Sequence, residues 1–294
     1  MIESNIPRAN WGHPPTTEQP TWRRFVDNWY HAGLDILFPP ACALCNVPLP
    51  EPGPLPRVCD SCEAAMGIGL DQRCDCCGHL LNLGQQPPPD EGPPDEGPPD
   101  EGPPDEGVVV NSGCVRCSDI QFAFARVVVL GSYDGHLKQA ILRMKHAGEQ
   151  PLAAAMGRML GRQLVQANPP VIPDVVTHVP MHLTRRWKRR ANSAEIIAET
   201  MARQLSIPHR RLLRTIRRTE KQSMLSPSQR PQNVRGAFAA TTRAATTRTR
   251  DEHVAIVDDT FTTGATANEA SKVLLRGGAK RVTVVVLGRA ASAW

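Results

Sequence analysis

The feature that most constrains the fold is a run of apolar residues that ends in two adjacent carboxylates. Residues 254–257 are Val, Ala, Ile and Val, and Asp258 and Asp259 follow directly. Such a strand fits a sheet that is buried on both faces, and sheets of that kind are usually parallel. A short loop with one glycine comes next, and a helical pattern begins near Asn268. The segment therefore predicts a strand, loop and helix unit of an α/β protein.

The loop of this unit has the composition of an anion site. It consists of Thr262, Thr263, Gly264, Ala265 and Thr266. Backbone N–H groups and hydroxyls at a helix N-terminus bind anions readily. The strand delivers Asp258 and Asp259 to the sheet edge where open parallel sheets bind ligands. Carboxylates beside a phosphate cradle suit a ribose 5-phosphate. The alternative is a polar turn without a ligand, since Asp and Thr are ordinary capping residues.

The C-terminal half of the chain alternates between strand and helix patterns. Strands are predicted at 126–130, 174–179, 253–258 and 281–287. Helices are predicted at 137–145, 152–167, 193–205 and 267–276. Alternation of this kind predicts a parallel sheet with helices on both faces and right-handed connections.

Cysteine spacing defines a second region. Eight of the nine cysteines form pairs with two residues between partners, namely Cys42 and Cys45, Cys59 and Cys62, Cys74 and Cys77, and Cys114 and Cys117. Four such pairs predict two structural zinc sites with four thiolates each. Disulfides are the less favoured alternative, because the N-terminus lacks the pattern of a signal peptide. No role is assigned to Cys76.

Composition along the chain predicts four regions. Residues 1–20 are polar and proline-rich and are expected to be disordered, and 21–40 show apolar residues at helical spacing, which predicts an amphipathic helix. A double zinc ribbon is predicted at 41–120, and the α/β domain at 121–294. Inside the ribbon, Pro-Pro-Asp-Glu-Gly occurs four times at 88–107, which predicts a projecting surface loop.

The apolar runs are far shorter than the roughly 18 residues that a membrane helix needs. Together with the missing signal pattern, this predicts a cytoplasmic protein without a transmembrane segment.

Charge is unevenly distributed along the chain. The formal net charge is +5, yet the repeat holds eight of the 29 acidic residues. Basic residues gather in two clusters: Arg185, Arg186, Lys188, Arg189 and Arg190, and Arg210, Arg211, Arg214, Arg217 and Arg218. Such clusters suit phosphates of a small ligand or of nucleic acid. A solvated basic face is the alternative.

These segments resemble two related groups of proteins. Residues 254–266 resemble the binding loop for phosphoribosyl pyrophosphate of type I phosphoribosyltransferases. The chain from about Phe38 onward resembles the ComF family, which joins a zinc ribbon to a phosphoribosyltransferase-like domain. The resemblance implies a parallel-sheet type I phosphoribosyltransferase-like fold behind a small cysteine-rich module.

The resemblance also implies roles for individual residues. Asp258 and Asp259 would hold the ribose hydroxyls near Mg²⁺, and residues 262–266 would hold the 5-phosphate. The pyrophosphate would be contacted by Pro180, Met181, Arg185 and Arg189. The chain departs from the family's Arg-Gly-Phe-Asn-Gln pattern at Arg190, Ala191 and Ser193.

Two further segments match the family. Residues 213–238 resemble a stretch that forms a mobile lid in phosphoribosyltransferases, and a basic surface hairpin is the alternative. Lys145 also matches, either as a phosphate contact or as a lysine that complements the helix dipole.

The functional expectation is a glycosyltransferase that moves a pentosyl group from phosphoribosyl pyrophosphate to an acceptor that the sequence does not identify. No catalytic residue is assigned. The alternative, also implied by the family, is a competence-type protein that handles single-stranded DNA during uptake. In that case the pocket would serve binding or regulation without turnover.

Overall fold

The computed structural model describes residues 39–49, 56–69, 72–81, 113–167, 171–181, 192–217, 226, 229–242 and 249–290. The predicted disordered N-terminus, the predicted helix before Pro39 and the repeat at 88–107 lie outside these ranges. So do Arg185 and Arg189.

The described residues form six strands and six helices. The strands are β1 (Arg126–Ser132), β2 (Val175–His178), β3 (Leu213–Thr215), β4 (Phe238–Ala240), β5 (His253–Phe261) and β6 (Arg281–Arg289). The helices are α1 (Asp60–Ala65), α2 (Gly135–Arg143), α3 (Gln150–Gln166), α4 (Ser193–Leu205), α5 (Gln229–Val234) and α6 (Ala265–Arg276).

Four strands form a parallel sheet in the order β1-β6-β5-β2. The predicted α/β class and parallel sheet are therefore confirmed. Strands β3 and β4 form a separate antiparallel pair at the two ends of the 213–238 segment, which the strand patterns did not predict. Residues 218–225, 227 and 228 of the intervening segment that was compared with a lid lie outside the described residues, and the lid stays a prediction.

The central strands are apolar on both faces, and each face packs on its own helices. On β6, Val285 and Leu287 join the core formed with α2, α3 and α4. Val284 and Val286, which alternate with them, join the core formed with α6. Because successive side chains of a strand point to opposite faces, one apolar run supplies both cores. This burial fixes the sheet between two helical layers.

The cysteine region is built onto this sheet. Leu49, Val58 and Met66 belong to the same core as α2, α3 and α4. On the other side of the cysteine region, Val127 N donates to Asp75 O at 2.8 Å, so the second half of that region is bonded to the edge strand β1. The cysteine region and the sheet therefore share packing and hydrogen bonds.

Strand β5 is longer than predicted and includes both carboxylates. It continues to Phe261 because β6 runs beside it, with Thr260 paired to Gly288 and Phe261 paired to Arg289. Helix α6 then begins at Ala265, two residues before the predicted start. The loop is consequently shorter and its geometry more constrained than the sequence suggested. None of the described helices has the length and hydropathy needed to span a membrane.

Helices α3 and α4 approach each other closely at a glycine. A Cβ at Gly157 would lie 2.6 Å from the carbonyl oxygen of Ile197, which is backbone and cannot move aside cheaply. One turn later, a Cβ at Gly161 would lie 2.8 Å from Gln204 Oε1, the end of a flexible side chain.

We therefore expect Gly157→Ala to lower the free energy of unfolding by about 1–3 kcal/mol, the usual range for overpacking. Gly161→Ala is the matched control, since the glutamine can rotate away and alanine favours the helix by about 1 kcal/mol. Urea unfolding followed by circular dichroism measures both. Equal stabilities of the two variants would contradict the close contact at Gly157.

Candidate functional site

A cleft opens at the carboxyl end of β5, in the centre of the parallel sheet. It is lined by Asp258, Thr260, Phe261, Thr262, Gly264, Ala265, Thr266, Ala267 and Val286. The predicted carboxylates and phosphate loop therefore lie around one cleft, although only one of the two carboxylates is among the lining residues. Thr263, also in the loop, is buried and does not line the cleft.

The two carboxylates of β5 have different environments. Asp259 forms an ion pair with Lys145 and accepts a hydrogen bond from the Thr260 hydroxyl at 2.8 Å. Asp258 accepts the backbone N–H of Asp259 at 2.8 Å. Burial raises the pKa of Asp258 well above its usual value, and the charge of Asp259 raises it further. The pair therefore holds one compensated carboxylate and one that favours its protonated form.

Lys145 comes from the segment that follows α2. Its Nζ contacts Asp259 Oδ2, so it lies within the site and does more than complement the helix dipole. The hydroxyl of Ser193, the first residue of α4, donates to the carbonyl of the neighbouring Met144 at 3.0 Å. Ser193 thus departs from the family pattern and holds the backbone next to Lys145. The sequence pointed to Lys145 only through its match to the family. Residue spacing alone gave no reason to place Lys145 in the site.

The loop predicted to bind phosphate requires a glycine at its centre. Gly264 has φ 74° and precedes the first residue of α6. A Cβ there would lie 2.6 Å from Phe261 Cζ and 2.8 Å from Phe122 Cε1. The left-handed backbone and the two rings both exclude a larger residue. The first N–H groups of α6 point out of this turn, as at any helix N-terminus. An anion at the cleft would meet these dipoles.

The predicted pyrophosphate segment begins at the same sheet edge. Val179 N donates to Val257 O at 2.9 Å, so Pro180 and Met181 leave the sheet beside the carboxylates of β5. The hydroxyl of Thr215 on β3 donates to Pro180 O at 3.0 Å. Neither Pro180 nor Met181 lines the cleft. Their assigned contact with pyrophosphate stays a prediction.

Four of the five arginines of the second basic cluster have protein partners, and the fifth, Arg218, lies outside the described residues. Arg210 binds both carboxylate oxygens of Glu252, at 3.1 and 2.9 Å, and Arg211 pairs with Glu195. Arg214 donates to a backbone carbonyl at 3.3 Å, and Arg217 donates to two, at 2.7 and 2.8 Å. These four arginines hold the β3–β4 region in place, which favours a structural role over phosphate recognition.

The eight paired cysteines form two clusters. The first contains Cys42, Cys45, Cys59 and Cys62, and the second contains Cys74, Cys77, Cys114 and Cys117. Within each cluster all four sulfurs lie within 4.8 Å of one another. Four of the sulfur pairs are separated by 3.7, 3.7, 3.6 and 3.9 Å. Sulfurs about 2.3 Å from a tetrahedral ion would be about 3.8 Å apart. The clusters therefore fit tetrahedral metal centres.

Each cluster is organised around a tight turn with the same backbone. Asn46 N donates to Cys42 O at 2.9 Å, and Gly78 N donates to Cys74 O at 2.7 Å. Asn46 and Gly78 both have left-handed backbones, with φ of 62° and 67°. The two clusters are thus local repeats of one structural motif.

The polypeptide itself stabilises a thiolate in each cluster. Burial raises the pKa of Cys42, but backbone N–H groups of Cys45, Cys59 and Leu44 outweigh it and lower the pKa to about 6. A side-chain hydrogen bond from Cys77 lowers the pKa of Cys74 to about 4. Burial and the neighbouring thiols raise the pKa of Cys62. A cation is therefore needed to hold four thiolates together.

Sequence reasoning missed two groups near the site. Arg289, the last residue of β6, is buried and donates to the carbonyl of Cys77 at 2.6 Å. His178 and His209 stack with ring centroids 5.3 Å apart, and their ring nitrogens are 3.1 Å apart. A single charge at the end of an apolar strand was the available signal for Arg289. Nothing in the sequence pattern pairs the two histidines, because the contact joins segments that are distant in the chain.

The C-terminal part of the chain matches a known domain family. Residues 191–294 match the family described as "Phosphoribosyl transferase domain". The "allosteric regulatory enzyme of purine biosynthesis" is a similar solved structure, at 28% identity and a TM-score of 0.31, over 46% of this chain and 26% of that one.

Curated relatives match a longer stretch of the chain. It is 29% identical to "Competence protein F" of Haemophilus influenzae over 181 residues, which is 60% of this chain and 78% of the relative. It is 30% identical to "DNA utilization protein YhgH" of Escherichia coli K12 over 181 residues, which is 60% of this chain and 77% of that protein. With a phosphoribosyl transferase domain behind two clusters of four cysteines, the chain belongs to the ComF family.

Proposed function

We propose that the protein binds phosphoribosyl pyrophosphate with Mg²⁺ in the cleft at the end of β5. The observation that carries the proposal is that one cleft is lined by Asp258 together with Thr262, Gly264, Ala265 and Thr266, with Asp259 next to Asp258 on β5. A ribose 5-phosphate needs acceptors for its hydroxyl groups and an anion site next to them. The loop from Thr262 to Thr266 supplies the anion site, and β5 supplies the acceptors.

The carboxylate pair defines how the ribose would be held. Asp259, compensated by Lys145, offers an ionised acceptor, and Asp258 lines the cleft beside it. Two neighbouring hydroxyls of a ribose would donate to these two carboxyl groups. The Mg²⁺ would then be carried mainly by the pyrophosphate and ribose oxygens.

Turnover would be displacement of pyrophosphate from the anomeric carbon by a nitrogen nucleophile, through a transition state with oxocarbenium character, as in glycoside cleavage. The sequence positions of Arg185 and Arg189, in the loop after β2, suit stabilisation of the leaving pyrophosphate, because guanidinium groups match phosphate oxygens. The activity would be that of a pentosyl-transferring glycosyltransferase, in the cytoplasm. The four regions predicted from composition are the proposed domains.

We propose zinc for both four-cysteine clusters. Thiolate ligands in tetrahedral geometry favour zinc over harder cations, and sites with four protein ligands are structural. In the first centre, the ion would join Cys42 and Cys45 to Cys62 of α1. In the second centre, it would join Cys74 and Cys77 to Cys114 and Cys117, on either side of the repeat.

A second candidate function is handling of single-stranded DNA. Relatives named for competence and DNA utilization favour it. The excess of basic over acidic residues outside the repeat also favours it. Because the described arginines of the second cluster have protein partners, the first cluster (Arg185, Arg186, Lys188, Arg189 and Arg190) is the proposed contact. The two functions are compatible in one protein.

Calorimetric titration with phosphoribosyl pyrophosphate and Mg²⁺ tests the first proposal. We expect binding to the intact protein, and a loss of at least about tenfold in Asp258→Asn, Asp259→Asn, since a hydrogen bond to the charged Asp259 alone contributes about 1.5–3 kcal/mol. Asp251→Asn is the control, because Asp251 is exposed in a left-handed turn that asparagine tolerates. Unchanged binding by the double variant would refute the assignment.

Metal analysis of protein purified under reducing conditions tests the zinc proposal. We expect two zinc ions per chain, and one in Cys45→Ser, Cys62→Ser, because a site with two ligands left cannot hold the ion tightly. Cys76→Ser removes a thiol outside both clusters and should keep both ions. A protein that contains no zinc would overturn the proposal.

Fluorescence anisotropy with a labelled single strand tests the second candidate. We expect affinity that falls with salt, and weaker binding by Arg185→Ala, Arg186→Ala, Lys188→Ala. Lys272→Ala, Arg276→Ala, Lys280→Ala removes the same charge from exposed residues and is the control. Equal losses in both triple variants would show that only net charge matters.

A further inference from the structure

A buried arginine connects the second four-cysteine cluster with the phosphate loop. Arg289 is 2% exposed, and its Nε donates to Cys77 O at 2.6 Å. Its guanidinium carbon lies 5.3 Å from the ring centroid of Phe261, the residue that ends β5. Its Nη1 bonds the carbonyl of Ala290, whereas Nη2 has no hydrogen-bond partner among the described residues. One side chain thus contacts both the metal cluster's backbone and the base of the loop.

A buried guanidinium needs a compensating negative charge. Four thiolates around one zinc ion would carry a formal net charge of −2. The loaded cluster would therefore stabilise the arginine's charge, and an arginine held in place orients the Phe261 ring beneath its guanidinium.

Phe122 forms a second connection. It packs against the second cluster and meets Phe261 edge to face, with ring centroids 6.1 Å apart. The Phe122 and Phe261 rings are also the groups that a Cβ at Gly264 would strike, at 2.8 and 2.6 Å. The loop glycine therefore rests on two rings, and both rings contact the second cluster or its arginine.

A hydrogen bond forms the third connection. Ala123 N donates to Asn268 Oδ1 at 2.7 Å, and Asn268 lies in the first turn of α6. Ala123 follows Cys117 by six residues in the chain. The start of α6, which carries the loop's N–H groups, is thus tied to the segment that leaves the second cluster.

The first cluster lacks such contacts among the described residues and packs elsewhere. Glu63 in α1 binds Arg162 of α3 at 2.9 and 2.8 Å, and Leu44 O accepts from Arg143 of α2. These helices cover the opposite face of the sheet from α6. The chain thus contains an internal control, a similar cluster that is joined to different elements.

We propose that Arg289 is a positioning residue that couples metal occupancy of the second four-cysteine cluster to the geometry of the phosphate loop. The part of the proposal that concerns ligand affinity rests on the function proposed above. Loading the second cluster fixes Arg289, the rings and the loop, and emptying it releases them. The first cluster stabilises the fold without acting on the loop.

Hydrogen exchange of the full-length protein tests the coupling without a ligand. We expect exchange of the amides in 262–268 to rise about tenfold in Cys114→Ser, Cys117→Ser, within the 5- to 150-fold range of typical couplings. Emptying the first cluster with Cys45→Ser, Cys62→Ser should change it by less than about twofold. A rise that is the same for both clusters, or absent for the second, would overturn the proposal.

Arg289→Met decides the role of the arginine even if a cysteine variant fails to fold. It keeps the packing of the aliphatic side chain, and we expect two zinc ions with faster loop exchange. Arg289→Lys keeps the charge and should restore part of the protection. Arg162→Met removes the arginine that pairs with Glu63, next to the first cluster, and is the control. Loop exchange in Arg289→Met equal to that of the intact protein would refute the assignment.

Ligand binding provides the reciprocal measurement. Coupling between two sites must act equally in both directions. Phosphoribosyl pyrophosphate with Mg²⁺ should reduce zinc loss from the second cluster to a chelator, leave the first unchanged, and lose this effect in Arg289→Met. If the intact protein does not bind the ligand, the proposed function fails, and loop exchange still decides whether the coupling exists. Binding that leaves zinc loss from the second cluster unchanged would contradict the coupling.

Discussion

The hydrogen-bonded pairing of β5 with β6 determines most of what this protein can do. The two strands are paired from His253 and Arg281 to Phe261 and Arg289, and their apolar side chains supply both cores. Both faces are buried, so a register shift would move apolar residues away from their helices. The register places Asp258 beside Val286, at the rim of the cleft. The site geometry is therefore a consequence of strand pairing in the core.

The cysteine region extends this arrangement to the sheet edge. The first cluster packs on the side of α2, α3 and α4, and the second is bonded to β1 through Asp75 and contacts the side of α6. Edge strands expose unpaired backbone groups, and natural proteins usually cover them. Here the cysteine region provides part of that cover. The long repeat between Cys77 and Cys114 is compatible with this because loop closure becomes unfavourable only slowly with length.

The sequence predicted the strands and helices better than the contacts between residues that are distant in the chain. Alternating patterns located the four strands of the parallel sheet and the helices α2, α3, α4 and α6, because buried apolar runs and amphipathic faces leave local signals. The cysteine pairs likewise predicted two clusters, since ligand spacing is local. The carboxylates and the loop could be proposed as one site because they are consecutive in the chain. The β3–β4 pair, three residues per strand, is too short for a periodic pattern. Lys145 and Arg289 act through contacts with distant segments, and no local pattern reports such contacts.

The position of β1 has a consequence for how the protein is made. In the parallel sheet β1 pairs only with β6, the last strand of the described chain. During synthesis, both cysteine clusters and β1 leave the ribosome long before β6 exists. Until then, the backbone groups of β1 that will pair with β6 have no partner, the apolar side chains of β1 lack the sheet in which they pack, and the carbonyl of Cys77 lacks the arginine that will bond to it. Until β6 is synthesised, the nascent chain is therefore partly folded and exposes apolar surface. Chaperones bind states of this kind.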